Sequence, residues 1–214
     1  MSFGEYLVDR WPTIAVLALQ HAEIVLIAVA IATVVGIALG IAVEPHPRAS
    51  GIALAVSATM LTIPSFALFG LFVPLFGLGT APTVAALVLY AVVPILRNTI
   101  TGLRSVPPAV DEAARGMGLS RAARMRYVRL PLAWPVILTG VRLATIMTVS
   151  IAAIAAAVAG PGLGELIFRG LARIGGANAL NDALAGTLGV ALLALVLDLM
   201  FVAVFRLTTS RGIR

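Results

Sequence analysis

Residues 104–131 read RSVPPAVDEAARGMGLSRAARMRYVRLP, the one polar stretch of real length in the chain, and what surrounds it decides the fold. The 214 residues are 61% apolar and 11% charged, with a mean hydropathy of +1.09. A soluble domain carries about 25% charged residues. No soluble core hides so much apolar surface, so the solvent for most of this chain is lipid. A cytosolic enzyme, a disordered tail and a disulfide-rich secreted module are thereby excluded.

Crossing about 30 Å of hydrocarbon takes roughly 20 apolar helical residues at 1.5 Å each. Five stretches qualify: Ile14–Val43, Ile52–Phe76, Pro82–Leu103, Trp134–Gly160 and Leu184–Phe205. The expected fold is therefore an all-α integral membrane protein of five spans, a single transmembrane domain over 1–214, with the polar stretch inserted between spans three and four. The first span is long and carries Gln20, His21 and Glu23, which places its outer turns at the interface. Glu5 and Asp9 stand where a signal peptide would be basic. Breaks fall at Glu44-Pro45-His46-Pro47, at Gly77-Leu78-Gly79 before Pro82, and in the Gly-rich segment after Gly160.

All 15 basic residues are arginine, and eight of them lie between Arg97 and Arg142. With five spans, one side of the membrane holds 12 arginines and the other holds Arg10, Arg169 and Arg173. Basic loops stay cytoplasmic, so the amino terminus is expected outside and the carboxyl terminus in the cytoplasm. The absence of lysine excludes a phosphate-binding loop of the G-x-x-x-x-G-K-[ST] type, so any ATP would be bound by another chain. With no cysteine and only His21 and His46, no thiol chemistry and no metal site is expected.

Within the insertion, Pro107 and Pro108 suit a helix start, and Asp111 and Glu112 fall where the helix dipole favours acids. Gly118 suits the end of that helix, and Ser120 can cap a second one that Pro131 should stop. A basic helix-turn-helix on its own would suggest DNA, but spans on both sides hold this one at the membrane, so no nucleic-acid partner is expected. A loop whose arginines only set topology and touch anionic lipid is the plainer alternative.

The residue order says more. Glu112-Ala113-Ala114, Gly118, Val128, Leu130 and Pro131 fit the pattern EAA-x3-G-x9-[I/V]-x-L-P. It resembles the cytoplasmic signature of permease subunits in bacterial binding-protein-dependent ABC importers. Thr62-Ile63-Pro64-Ser65, Gly77-Leu78-Gly79-Thr80, Leu89-Tyr90, Pro94 to Thr99 and Gly162 to Ile167 look like the subgroup that imports quaternary-ammonium osmoprotectants.

The resemblance implies a methionine-importer-like five-span fold in the bacterial plasma membrane. It also implies a second permease, identical or homologous, two cytoplasmic ATPases carrying the ATP-Mg, and an extracytoplasmic binding protein. The solute would be glycine betaine, choline, carnitine or similar, with an amino acid of the methionine type as the alternative. On this reading the chain is not itself an enzyme and holds no cofactor. A self-sufficient secondary transporter would need more spans or an inverted repeat, and membrane-embedded carboxylates.

Candidate sites follow from both readings. By resemblance, coupling to the ATPase falls to Asp111, Glu112, Ala113, Ala114, Gly118, Leu130 and Pro131, in a segment spanning 107–131. Polar or kinked positions within spans are candidates for the solute path: Thr62, Pro64, Ser65, Asn98, Thr99, Thr145, Thr148 and Ser150. Phe66, Phe69, Phe72 and Phe76 share one helix face and read as a lipid-facing or helix-packing stripe in preference to a cation–π wall. Among charges within the spans, Asp198 and Arg142 match in depth and should pair, with Arg97 as the second choice. Glu165 in the outer Gly-rich loop is a candidate contact for the binding protein. The alanines between Ala152 and Ala159 read as close helix packing.

Overall fold

Ser2 starts the first helix. Its hydroxyl accepts from the Glu5 backbone N–H at 3.4 Å, while its own N–H donates to the Glu5 carboxylate at 2.8 Å, a reciprocal cap that satisfies two otherwise unpaired donors. The computed structural model describes residues 1–208, and the regular structure in them is helical. Helix α1 runs Phe3–Val43 without a break through Pro12. Its 41 residues rise about 61 Å, twice the hydrocarbon thickness. The helix thus begins eleven residues before the expected start of span one.

Helices α2 (Pro47–Met60) and α3 (Ser65–Phe76) follow, then α4 (Thr80–Arg104) and the short α5 (Pro108–Gly116). Helix α6 (Arg121–Arg124) passes through a π turn, Met125–Arg129, into α7 (Leu130–Ala152), which tightens to a 3₁₀ segment, Ala153–Val158. Helices α8 (Gly164–Ala172) and α9 (Ala179–Thr208) complete the described chain. Four helical stretches are long and apolar enough to cross a membrane, and five if α2 and α3 count as one.

Helix α4 is the axis of the bundle, packed between α1 and α7. Ala28, Ala32, Gly36 and Gly40 recur every fourth residue on the buried face of α1. A Cβ at Gly36 would sit 2.8 Å from Ile95 Cγ2, and one at Gly40 would sit 2.5 Å from Thr99 Cγ2. Small residues at this spacing let two backbones meet closely, which replaces the hydrophobic effect as the packing force in lipid. Ile24, Val25, Leu87, Ile95, Val149 and Phe69 fill the core around this seam.

Two boundaries differ from the sequence expectation. The second span is not one helix: α2 and α3 meet at 96°. Leu61, Thr62 and Ile63 each donate to the carbonyl three residues back, a tightened turn, and Pro64 then fixes an extended backbone (ψ 131°). Conversely, Pro131 does not stop the helix after Ser120. The Leu130 N–H bonds to the Met125 carbonyl, five residues back. That wider turn moves aside the carbonyl against which the Pro131 ring would clash. The fourth span accordingly starts at Leu130, four residues before Trp134, and leaves α geometry at Ala153.

Candidate functional site

Helix α5 lies in the connection between the end of α4 and the start of α7, and its end has the geometry that the glycine implied. The Leu119 N–H bonds to the Ala114 carbonyl at 3.2 Å and the Gly118 N–H to the Arg115 carbonyl at 3.0 Å. Gly118 has φ +82°. This double bond pattern with a left-handed residue is the glycine helix stop, and a side chain at that φ would be strained. Ser120 then caps α6 by accepting from the Ala123 N–H at 3.3 Å.

The expected coupling residues separate into two sets. Glu112 and Ala113 face outward, flanked by exposed Val110 and Met117. These apolar side chains on a nine-residue amphipathic helix form a face with no partner among the described residues. Asp111 and Ala114 turn inward. Asp111 accepts from Arg124 at 2.7 Å, tying α5 to α6, and Ala114 is buried. Leu130 is half-buried and Pro131 is exposed.

Arg129, in the π turn, gathers three helices. Its guanidinium donates to Glu44 at the end of α1 (3.0 Å) and to the Leu103 carbonyl at the end of α4 (3.1 Å). One turn away, Arg104 donates to the Ser50 hydroxyl on α2. Sequence reasoning passed over Glu44 and Arg129. The signal was present, since Glu44 stands at the break that ends span one, on the same expected side as most of the arginines.

In the membrane region the path candidates also divide. Thr99, Thr145 and Thr148 are fully buried, and each hydroxyl donates to a carbonyl of its own helix at 2.8–3.0 Å. Asn98 donates to the Pro94 carbonyl at 2.8 Å, one turn back on its own helix. Ser150 is exposed, with a long bond of 3.4 Å to Ile146. Thr62 and Pro64 are exposed at the bend, Ser65 is half-exposed, and the Tyr90 hydroxyl on α4 donates to the Ile63 carbonyl between them. The phenylalanines do not act as one stripe: Phe69 is in the core, Phe66 and Phe76 are exposed, and Phe72 meets Phe76 edge to face.

The charges follow the expectation in pairing and depart from it in burial. Arg142 on α7 holds Asp198 on α9 through two bonds, 2.5 and 2.8 Å. Their side chains remain 45% and 24% exposed on this chain, so the pair sits on its surface beside Leu138, Thr139 and Phe201. Arg97 is exposed and takes no part in that pair. Glu165, in the first turn of α8, is paired with Arg169 and exposed. His21 departs furthest: it is wholly buried instead of interfacial, with Nε2 3.0 Å from the Val149 carbonyl. Just beyond that carbonyl α7 gives way to the 3₁₀ segment, so the imidazole lies where the regular helical ladder ends.

Comparison with known proteins bears on the family and the fold. A family model described as "Binding-protein-dependent transport system inner membrane component" matches residues 32–210. The chain is 39% identical to the osmoprotectant import permease protein OsmW of Salmonella typhimurium, covering 98% of each. It is 36% identical to the choline transport system permease protein OpuBB of Bacillus subtilis, over 91% of this chain and 88% of that one. Its fold is similar to a chain of the MetNI methionine ABC transporter in an inward-facing conformation, with a TM-score of 0.79 at 20% identity, covering 93% of this chain and 99% of that chain.

Proposed function

Because the chain belongs to the binding-protein-dependent transport system inner membrane components, we propose a division of labour in which it provides half of a solute path and other subunits hydrolyse ATP and capture solute. It is the membrane permease subunit of an ABC importer. Its cargo is a small quaternary-ammonium osmoprotectant: relatives over most of its length are named for osmoprotectants, choline, glycine betaine and carnitine. A second permease, two cytoplasmic ATPases and an external binding protein complete the machine.

The observation that carries this reading is the outward face of α5. Glu112, Ala113 and Met117 stand free of the bundle while Asp111 anchors the helix from behind. An ATPase closing on that face would pull α5. The Asp111–Arg124 pair would pass the movement to the π turn, and Arg129 would pass it to α1 and α4. A π turn is a natural hinge, since its widened ladder has looser bonding than the α-helix on either side.

Uptake of labelled glycine betaine by a strain carrying the whole importer is the direct test, with choline, carnitine and methionine as unlabelled competitors. Competition by the quaternary ammonium compounds and none by methionine is expected; competition by methionine alone would move the cargo to the amino-acid class. The 12-to-3 arginine split places Ser120 in the cytoplasm and Ser2 outside. In this cysteine-free chain, Ser2→Cys should react with an impermeant thiol reagent in intact cells and Ser120→Cys should not. The reverse pattern would invert the orientation.

A further inference from the structure

Six serine and threonine side chains are buried in the described residues: Ser50, Ser57, Thr83, Thr99, Thr145 and Thr148. Five of them hydrogen-bond a backbone carbonyl three or four residues back, the ordinary way a helix in lipid satisfies a hydroxyl. Ser57 does not. It is 9% exposed, has no hydrogen bond among the described residues, and lines a cavity of about 360 Å³ between α2 and α4.

Arg97 lines the same cavity, about 9 Å from Leu103 at the inner end of its span at 1.5 Å per residue. Among the described residues no acid, carbonyl or hydroxyl bonds its guanidinium, whereas Arg142 at similar depth is held by Asp198. A charged group at such depth is expensive unless it is paired or wetted. The last-turn carbonyls of α2, at Ala58, Thr59 and Met60, accept from Leu61, Thr62 and Ile63 and take no bond from Arg97. An identical second permease offers no acid at this depth either: Asp198 is engaged, and Glu23 lies toward the other side of the membrane.

We propose that this cavity binds the carboxylate of a small zwitterionic solute, with the Arg97 guanidinium and the Ser57 hydroxyl as its donors. The volume falls in the range of small-ligand pockets. The remaining walls are Leu54, Ala55, Ala58, Leu61 and Val93, apolar and non-aromatic. They accept methyl groups by contact but offer no ring face to hold a quaternary ammonium by its charge. The carboxylate is the end of the molecule that the cavity reads. Glycine betaine and carnitine carry one; choline, whose far end is a hydroxyl, does not. The assignment of a physiological ligand rests on the osmoprotectant reading above, but carboxylate binding itself does not.

Ala58 lines the cavity and the chain has no cysteine, so Ala58→Cys reports occupancy with both donors intact. In the assembled importer, reconstituted in bilayers without ATP, labelling of this chain by a water-soluble anionic thiol reagent should be slowed by glycine betaine and by acetate and left unchanged by choline. Adding Arg97→Gln should raise the protecting concentration roughly tenfold to a hundredfold, as expected for a lost charge-assisted bond, while Arg97→Lys keeps part of the protection. Equal protection by choline, no protection by either carboxylate, or a cysteine reachable only after lipid is stripped would each overturn the site. Acetate separates this outcome from the functional reading. Acetate protection without uptake of any quaternary ammonium solute sinks the osmoprotectant assignment and keeps the site; uptake without protection sinks the site alone.

Discussion

Two prolines interrupt apolar helices in this chain, and the backbone treats them in opposite ways. At Pro64 the chain tightens into three-residue turns, then bends by 96° between α2 and α3. At Pro131 it loosens into a π turn and carries on as α7. A proline removes the same backbone donor and disfavours an α neighbour in both places, yet Leu130 before Pro131 stays helical. What differs is how the residues beside it are tied to the rest of the bundle. The Tyr90 hydroxyl takes the Ile63 carbonyl and holds the bend open, whereas Arg129 is pinned to Glu44 and the Leu103 carbonyl and keeps the π turn in register with α1 and α4. The bend lies in the apolar second span and the turn within the polar 104–131 stretch, so perturbing each should fail differently.

The largest effect is expected below the π turn, at the helix it carries. Gly118→Pro replaces a residue at φ +82° by one fixed near −65°, and Glu112→Arg reverses a charge on the outward face. Neither touches a span, so both proteins should insert and fold at normal levels yet lose ATPase co-purification and solute uptake. Normal uptake by Glu112→Arg at matched expression would remove that residue from coupling, and the same result for Gly118→Pro would leave the signature without mechanical meaning.

Next in size is the clamp itself. Arg129→Gln strips Glu44, whose side chain is only 10% exposed, of its ion-pair partner. The expected loss is about 2–4 kcal/mol, since an abandoned half-buried charge is costly. Thermal unfolding of the detergent-solubilised complex measures it, and ATP hydrolysis per solute imported should rise because α5 no longer pulls α1 and α4 together. Unchanged stoichiometry would confine Arg129 to stability.

The smallest effects belong to the bend. Tyr90→Phe removes one hydroxyl and leaves the ring in the core, for a loss of about 1 kcal/mol. Pro64→Ala alone should keep the bend, because Tyr90 still holds the Ile63 carbonyl; the double variant should relax it. A spin-label pair on α2 and α3 reads the angle as a distance. Straightening by Pro64→Ala alone would mean that the proline, not the tyrosine, makes the bend, and would erase the contrast between the two sites.

Periodicity and composition alone gave the membrane solvent, the helical class and the approximate position of every span, because lipid leaves a backbone few other ways to satisfy its hydrogen bonds. Chain order also sufficed for α5, whose proline start, first-turn acid and Gly118 stop are local features settled within a dozen residues. Depth counting paired Arg142 with Asp198, since in lipid a charge seeks the opposite charge at its own level. The opposite fates of Pro64 and Pro131, the burial of His21 against Val149, the inward turn of Asp111 and the free hydroxyl of Ser57 were decided only in the tertiary structure. Each depends on which carbonyl or charge another helix brings alongside, and residues far apart in sequence meet only when α1, α4 and α7 close on their small-residue seam.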